Sequence, residues 1–208
     1  LNKPDFAAMQ QRLDSLQDVA EALLTNNFVC GASKIADVDG NKYNTIQMGD
    51  QCWMKENLRT TRYSDGTDIP VSSTTSSTEP YRHYPGNDST NVPVYGMLYN
   101  WTAVMHGAVA SNTNPSNVQG VCPTGWHVPS EAEWEQLNAY VSSKSEYVCG
   151  DTNINIAKAM CATEGWNNYS SYCVPGNNQS LNNATGFSVY PAGYYRGSTI
   201  TNFHILTA

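Results

Sequence analysis

The stretch CPTGWHVPSEAEWEQL, residues 122–137, carries the strongest local structural signal in this sequence of 208 residues. Ser130 and Glu133 have the S-x-x-E spacing of a capping box, in which each side chain accepts the free backbone N–H of the other residue. The apolar residues that follow recur at helical spacing and form one face: Trp134, Leu137 and Val141. The stretch therefore predicts an amphipathic helix over residues 130–141.

Upstream of this helix, apolar and polar residues alternate with period two, which is typical of β-strands. Residues 34–38 and 41–48 flank Asp39-Gly40, a dipeptide that favours a hairpin turn. Gly49-Asp50 offers a second turn, into a strand over residues 51–54. We therefore expect a small antiparallel sheet.

The rest of the chain is less regular. Residues 72–93 are rich in Ser, Thr and Pro and predict a long surface loop. Short helices are predicted over residues 95–106 and 155–162, and strand-like residues run from 187 to 195. The predicted fold class is α+β, with small antiparallel sheets, long loops and disulfides.

A separate element is predicted at the N terminus. Apolar residues recur with 3-4 spacing over about three heptads, which predicts a helix over residues 5–26: Phe6, Met9, Leu13, Leu16, Ala20 and Leu23. Two interpretations stay open, because the stripe either pairs with other protein chains or packs on its own domain. We divide the chain into a stalk or assembly arm at residues 1–28 and a domain at residues 29–208.

The composition limits the classes of function. Lys and Arg number 11 against 18 Asp and Glu, a net charge of −7, which argues against nucleic-acid binding because phosphate contacts need clustered cations. The sequence has no run of 18 consecutive apolar residues and predicts no membrane span. Only 14% of residues are charged, whereas 22 Asn, 19 Ser and 18 Thr give an uncharged polar surface. We expect an extracellular or cell-surface location.

The cysteines point to the same location. Six occur singly, without a C-x-x-C motif, and an oxidising compartment would give up to three disulfides. Cys30 and Cys52 flank the predicted hairpin, and Cys149 and Cys173 bracket a segment with little hydrophobic content. Because six cysteines allow fifteen connectivities, these two pairs are a hypothesis. They would leave Cys122 and Cys161, and two alternatives stay open: these two form a third pair, or Cys122 waits for a different cysteine.

The candidate ligand-binding residues are aromatic side chains in the predicted loops. Tyr beside Asn and Ser suits adaptable recognition, and the flat rings also suit stacking on sugars. The predicted site comprises Tyr81, Tyr84, Trp166, Tyr169, Tyr172, Tyr194 and Tyr195. Tyr63 lies in a similar setting, and simple anchoring of the loops is the alternative for all of them.

Metal binding has little support in the sequence. None of the histidines belongs to a zinc motif: His83, His106, His127 and His204. The segment from Asp37 to Asn41 faintly resembles a calcium loop, but it lacks the glycine and the distant Glu of an EF-hand. Glu164, Asn167 and Asn168 give a weak signal for lectin-type calcium. We predict no cofactor, with calcium as a weak alternative.

Catalytic chemistry is also poorly supported. Paired carboxylates are the requirement for glycoside hydrolysis, and Glu131, Glu133 and Glu135 share one predicted helix. Residues two apart on a helix point to different faces, so we interpret these glutamates as a solvated surface. The sequence predicts no catalytic residue.

Four sequence blocks occur in the order found in one bacterial domain family. They are DVDGNKYNTIQMGDQCWMKENLRTTRYSDGTDIP (37–70), YGMLYNWTAV (95–104), CPTGWHVPSEAEWEQL (122–137) and NNATGFSVYPAGYY (182–195). They resemble the Fibrobacter succinogenes major paralogous domain family, and the similarity covers roughly residues 34–195.

The resemblance implies a bacterial extracellular or surface-attached domain of C-type lectin-like architecture, distantly similar to formylglycine-generating enzymes. It supplies no established catalytic residues. Family members usually continue with a Phe-Trp-Ser-Ala-Thr-like strand and a late cysteine, the usual partner of the residue matching Cys122. The resemblance thus implies a domain that is incomplete at its C terminus or is completed by another chain.

Three functional hypotheses follow. The leading one is a non-enzymatic module for adhesion or extracellular assembly, such as a pilus or filament component, with partners bound through the N-terminal helix. The alternative is a monomeric glycan- or peptide-binding domain with its site in the Tyr-rich loops. An enzyme of the formylglycine-generating type is less favoured, because its late cysteine pair cannot be placed in this sequence.

Overall fold

The structure is a computed structural model that describes Met9, Gln10, Leu13 and residues 28–150, 155–196 and 199–201. The strands are β1 (Lys34–Ala36), β2 (Lys42–Met48), β3 (Gln51–Met54), β4 (Arg82–His83), β5 (Leu98–Tyr99), β6 (Tyr194–Arg196) and β7 (Thr199–Thr201). The α-helices are α1 (Val92–Tyr95), α2 (Trp101–Met105), α3 (Glu131–Ser142) and α4 (Ala157–Met160). Short 3₁₀ turns lie at Pro85–Asn87, Ser89–Asn91, Ser145–Tyr147 and Gln179–Leu181. This mixture confirms the predicted α+β class.

The predicted hairpin is the start of a three-stranded antiparallel sheet of order β1-β2-β3. Ala36 pairs with Lys42 across the first turn, and Met48 pairs with Gln51 across the second. The first turn is closed by a bond from Gly40 N–H to Asp37 O, and Gly40 has a φ of 81°. Glycine adopts this left-handed conformation at no steric cost, which explains its place in the turn.

The buried apolar side chains form two small clusters. Met48 packs in one cluster with Leu137, Val141 and Phe187. A second cluster joins the loop after the sheet to α2: Tyr63, Ile69, Ala103 and Val121. The fold is thus built from two modest apolar clusters and a large number of polar contacts.

Helix α3 starts where the capping box predicts. The Ser130 side chain accepts the Glu133 N–H, and the Glu133 side chain accepts the Ser130 N–H, so both halves of the box are present. Leu137 and Val141 are buried. A cap of this kind contributes about 1 kcal/mol to stability, and it fixes the direction in which the helix leaves the preceding turn.

The helix predicted over residues 95–106 is wrong in its extent. The structure instead has α1, then β5, then α2, with Gly96 ending α1 at a φ of 71°. A Cβ at Gly96 would lie 2.8 Å from the Leu58 carbonyl oxygen, so the two segments touch backbone to backbone. Met97 N–H then bonds Leu58 O at 2.8 Å, which pulls the chain out of helical geometry.

Other predicted elements are shorter than the sequence pattern indicates. The helix predicted over residues 155–162 is α4, and the strand-like segment after residue 187 becomes β6 only from Tyr194. Before it, Val189 makes an isolated parallel bridge with Cys161. The predicted loop over residues 72–93 includes β4, which pairs with β5. In these segments, short pairings between distant parts of the backbone take the place of long strand pairs.

The structure contains the bridges Cys30–Cys52 and Cys149–Cys173, the two pairs inferred from the sequence. Cys122 and Cys161 are free, so the structure does not contain the third pair that was one of the two alternatives. Each is fixed by local backbone bonds, from Cys122 N–H to Gln119 O and from Cys161 N–H to Ala157 O. Burial raises the pKa of each of these thiols to about 12.

The disulfides fit a protein of an oxidising, non-cytoplasmic compartment. In the described part of the chain, no helix combines the length and the apolar composition needed to cross a bilayer. Most of the helix predicted over residues 5–26 lies outside the described residues. Met9, Gln10 and Leu13 are helical, and Met9 and Leu13 are exposed.

Candidate binding surfaces

The tyrosines predicted to bind a ligand fall into two groups. The first group surrounds β4 and β6 and comprises Tyr81, Tyr84, Tyr194 and Tyr195. The Tyr195 ring stacks on His83 with centroids 3.8 Å apart, and His83 itself is buried. His83 Nδ1–H donates to Ser72 O at 2.8 Å, and burial lowers the pKa of this histidine. Tyr195 therefore anchors its segment to β4.

The second group consists of Tyr169 and Tyr172, on the loop that leads to Cys173 of the Cys149–Cys173 bridge. Tyr169 and Tyr172 are 64% and 76% exposed. Tyr169 N–H donates to Gly176 O at 3.1 Å, which closes the loop at its base. Both rings are therefore presented to solvent on a segment that is tied down at its ends.

Trp166 does not belong to a binding surface, contrary to the sequence prediction. It is only 7% exposed, and its Nε1–H donates to Ala162 O at 3.0 Å. The Gln179 side chain accepts the Trp166 N–H and donates to the Trp166 carbonyl oxygen. Tyr63 is also buried, with its ring stacked on His106 at 3.6 Å. Both rings are structural anchors.

A buried lysine shapes the Tyr169 and Tyr172 loop. Lys158 Nζ donates to the carbonyl oxygens of Asn177 and Asn178 and to the Asn182 side chain. Burial disfavours the charged form and lowers the pKa of Lys158. The Asn182 amide in turn donates to Ala162 O and Pro175 O. One ammonium group thereby satisfies backbone carbonyls that no strand pairs.

The segment from Asp37 to Asn41 is a hydrogen-bonded turn. Asp37 Oδ1 accepts the N–H groups of Asp39 and Asn41, and its Oδ2 accepts the Tyr43 hydroxyl at 2.6 Å. Asp39 accepts from Arg62 Nε at 2.7 Å and from Thr61 N–H. Since protein donors occupy these oxygens, the faint resemblance to a calcium loop is explained by the turn.

The electrostatics of Asp39 follow from the same bonds. Burial opposes ionisation, but the Thr61 N–H and the Arg62 guanidinium favour the carboxylate more strongly and lower the pKa of Asp39 to about 2. The carboxylate is therefore charged at any physiological pH and holds β1, β2 and the segment after β3 together.

The other candidate metal ligands also remain apart. Within residues 28–150, 155–196 and 199–201, no three His, Cys, Asp or Glu side chains are grouped closely enough to hold a metal ion. His204 lies outside the described residues. Around Trp166, the Asn168 side chain accepts from Gln179, and Glu164 is exposed.

Glu133 is buried, so the interpretation of the three helix glutamates as a solvated surface is wrong for this residue. Its Oε1 lies 2.6 Å from His127 Nε2, and its Oε2 accepts the N–H groups of Ser130 and Ser116. These bonds lower the pKa of Glu133 although burial raises it. The capping box folds this side chain back against the turn, whereas Glu131 and Glu135 stay exposed.

Sequence reasoning missed Trp101, which is 64% exposed at the start of α2. It borders a cavity of about 340 Å³ whose walls include Met105, Asn112, Val118 and Glu131. The Asn100 side chain accepts the Ala103 N–H and so starts the helix at Trp101. An Asn cap directly before Trp was the available signal, because it places the indole on the first turn.

These observations define a loop-rich α+β domain braced by disulfides and by buried charges. The chain belongs to the Fibrobacter succinogenes major domain family, whose sequence profile matches residues 46–208. This match confirms the family that the four sequence blocks resemble. Neither the curated proteins nor the solved structures include a match to this chain.

Proposed function

We propose that this chain is a non-enzymatic, extracellular or cell-surface module that assembles with other protein chains through its N-terminal helix, in adhesion or in a filament. The observation that carries the proposal is the exposure of Met9 and Leu13, at 66% and 58%. They lie four residues apart in helical backbone, and residues at this spacing share one face of a helix.

Burial against a partner would stabilise this face. A fully buried Met or Leu side chain contributes about 1.5–3 kcal/mol relative to an exposed one. Met9 and Leu13 occupy two of the 3-4 spaced positions that run from Phe6 to Leu23. Most of the stability of helices in proteins comes from packing of an amphipathic face rather than from the isolated helix, so burial of this stripe against a partner would favour its folding.

The chemistry of the described residues supports a non-enzymatic role. The buried carboxylates of Asp37 and Glu133 accept several backbone N–H groups each. His83 is buried under Tyr195. Groups held in this way stabilise turns and caps, whereas acid–base catalysis requires a titratable group within reach of a substrate.

The test is the mass of the full chain in solution, measured by light scattering. The wild type is expected to form oligomers, and the double variant Met9→Ser/Leu13→Ser to be monomeric. Gln10→Ser, a change in the same exposed turn that leaves the apolar face intact, is the control and should assemble like the wild type. A monomeric wild type, or an unchanged mass of the double variant, would refute the proposal.

A second candidate is a glycan- or peptide-binding domain with its site on the Tyr169 and Tyr172 loop. The exposure of both rings on a loop closed by a disulfide favours it, since a pre-ordered loop loses less conformational entropy on binding. The double variant Tyr169→Ala/Tyr172→Ala should then lose retention on a glycan or peptide array, while Val94→Ala, a change at another exposed apolar side chain, should be retained normally. Equal retention of the tyrosine variant and the wild type would exclude this site.

A further inference from the structure

The cavity beside Trp101 has the composition of a small-ligand site. Its volume is about 340 Å³, within the roughly 300–1,000 Å³ found for ligand pockets in proteins. We propose that this cavity binds a neutral saccharide, with the Trp101 indole as the stacking platform for a sugar ring. The site lies on the domain and is independent of the assembly role proposed for the N-terminal helix.

The platform is an aromatic side chain left outside the core. Trp101 has no role in either buried cluster, whereas Met105, one turn further along α2, is buried and forms part of the cavity floor with Val118. The face of an indole carries partial negative charge, and the C–H groups on one face of a pyranose ring carry partial positive charge. Stacking of the two removes apolar surface of both partners from water.

Polar groups for the sugar hydroxyls are placed around this platform. Asn112 Oδ1 accepts the Ala132 N–H at 3.0 Å, which fixes the amide at the start of α3. Its Nδ2 is a donor for which the described residues give no hydrogen bond. Glu131 lies exposed at the first position of the same helix and offers carboxylate oxygens as acceptors. A hydroxyl group both donates and accepts, so an amide beside a carboxylate matches a sugar better than it matches an anion.

The charge of the walls selects for uncharged sugars. The described walls contain Glu131 and no Lys or Arg. A neighbouring cavity of about 360 Å³ shares Met105 and Val118 with the first and contains Asp65 and His106, whose Oδ2 and Nε2 atoms lie 3.8 Å apart, also without Lys or Arg. A uronic or sialic acid would place its carboxylate near Glu131 and Asp65 without a Lys or Arg to compensate it, which is unfavourable. A neutral oligosaccharide long enough to cover both cavities meets no such cost.

The walls are held in place before any ligand arrives. Ser116 Oγ–H donates to Val128 O at 2.5 Å, and Val128 N–H donates to Val118 O at 2.7 Å. Ser116 N–H is bound by the buried Glu133 carboxylate. A rigid wall reduces the ordering cost of binding, so the stacking energy is available for affinity.

The experiment is calorimetric titration of the full chain with cellohexaose, xylohexaose, mannohexaose and chitohexaose, and with a galacturonic acid oligomer as the anionic probe. At least one neutral hexaose is expected to bind. Trp101→Ala should weaken that binding about tenfold or more, from the loss of stacking and buried area. Trp101→Phe should retain part of the affinity, and Glu131→Gln should weaken binding less than Trp101→Ala does.

The matched control is Leu181→Ala, which removes an apolar side chain of nearly equal exposure (66%) from another part of the surface and should bind as the wild type does. Trp101→Ala should unfold at the same temperature as the wild type, because the exposed indole is not needed for folding. Failure of all four neutral hexaoses to bind at millimolar concentration would overturn the proposal. So would a Trp101→Ala affinity equal to wild type, a loss caused instead by the Tyr169→Ala/Tyr172→Ala variant of the other loop, or preferential binding of the galacturonic acid oligomer.

Discussion

Two regions of this molecule are closed by disulfides of nearly equal span but are built differently inside. The Cys30–Cys52 and Cys149–Cys173 bridges join residues 22 and 24 positions apart. The first encloses β1, β2 and the turn that follows each of them, so its backbone groups pair in a ladder. In the second, α4 is the regular element of the described residues, and most of the chain is irregular.

Buried charge has the opposite sign in the two regions, and the difference follows from their backbones. Around the hairpin, the Asp37 carboxylate accepts two N–H groups of the turn, and the Asp39 carboxylate accepts the Thr61 N–H from the segment after β3. In the irregular region, the Lys158 ammonium donates to carbonyl oxygens that no strand pairs. Buried backbone groups need partners, and a side chain supplies them wherever secondary structure does not.

The largest effect is expected from removal of the carboxylate beside the hairpin. Asp39→Ala leaves Arg62 and the Thr61 N–H without their acceptor, and it should lower the free energy of unfolding by about 3–4 kcal/mol. Urea unfolding followed by tryptophan fluorescence measures this. Asp65→Ala, which removes an exposed turn carboxylate, is the control and should cost clearly less. Equal losses in the two variants would mean that Asp39 has no special role.

Removal of the bridges separates global from local stability. In the chain-entropy model, Cys30→Ser/Cys52→Ser and Cys149→Ser/Cys173→Ser should each cost about 3 kcal/mol, because the closed loops have similar lengths. Only the second pair should permit cleavage by chymotrypsin at Tyr169 or Tyr172 under native conditions, since no ladder holds that segment. Early cleavage of the hairpin in the first variant instead would contradict the comparison.

A smaller effect is expected at the cation of the irregular region. Lys158→Met keeps the length of the side chain but leaves the acceptors on Asn177, Asn178 and Asn182 unpaired. We expect a loss of about 2–3 kcal/mol in thermal unfolding. Lys144→Met, which removes a lysine placed 5.5 Å above the Tyr140 ring, should change stability by about 0.5 kcal/mol or less. An unchanged Lys158→Met variant would show that burial of the ammonium costs as much as its bonds contribute.

Acid should affect the hairpin through Asp39 and spare the Lys158 region. The pKa of Asp39 falls from 3.8 to about 2 on folding, so its contribution is complete above pH 3.8 and is lost as the pH falls towards 2. The stability lost over this interval is about 2 kcal/mol. Chemical denaturation at several pH values should show this loss in the wild type and a flatter dependence in Asp39→Asn. Parallel pH profiles would contradict the assignment.

The local features of this fold can be predicted from the sequence. The capping box of Ser130 and Glu133 locates the start of α3, because both bonds join residues three apart. Asp39-Gly40 locates the hairpin for the same reason. The pairing of Cys30 with Cys52 follows once the hairpin is known. In each case the residues that interact are near each other in the chain, and their identity is enough.

The candidate binding surfaces depend on packing between distant segments, which one sequence does not reveal. Trp166 and Trp101 each have an asparagine beside them in the sequence, yet the first donates to Ala162 O inside the domain and the second faces solvent. In the sequence, Lys158 cannot be distinguished from an exposed helix lysine. Its bonds to Asn177, Asn178 and Asn182 form only in the folded chain. The position of Gly96 against Leu58 likewise interrupts a helix that the apolar pattern favours.

The two free thiols determine how readily the disulfide pairing can rearrange once it has formed. Disulfide exchange proceeds by attack of a thiolate, and a thiol of pKa about 12 is ionised in only roughly one molecule in 10⁵ at pH 7. In the unfolded chain, Cys122 and Cys161 are ordinary thiols that can attack any of the other four. Folding therefore keeps the two free thiols protonated and slows their attack on the disulfides. The native disulfide pairing then persists although two free cysteines are present in the same chain.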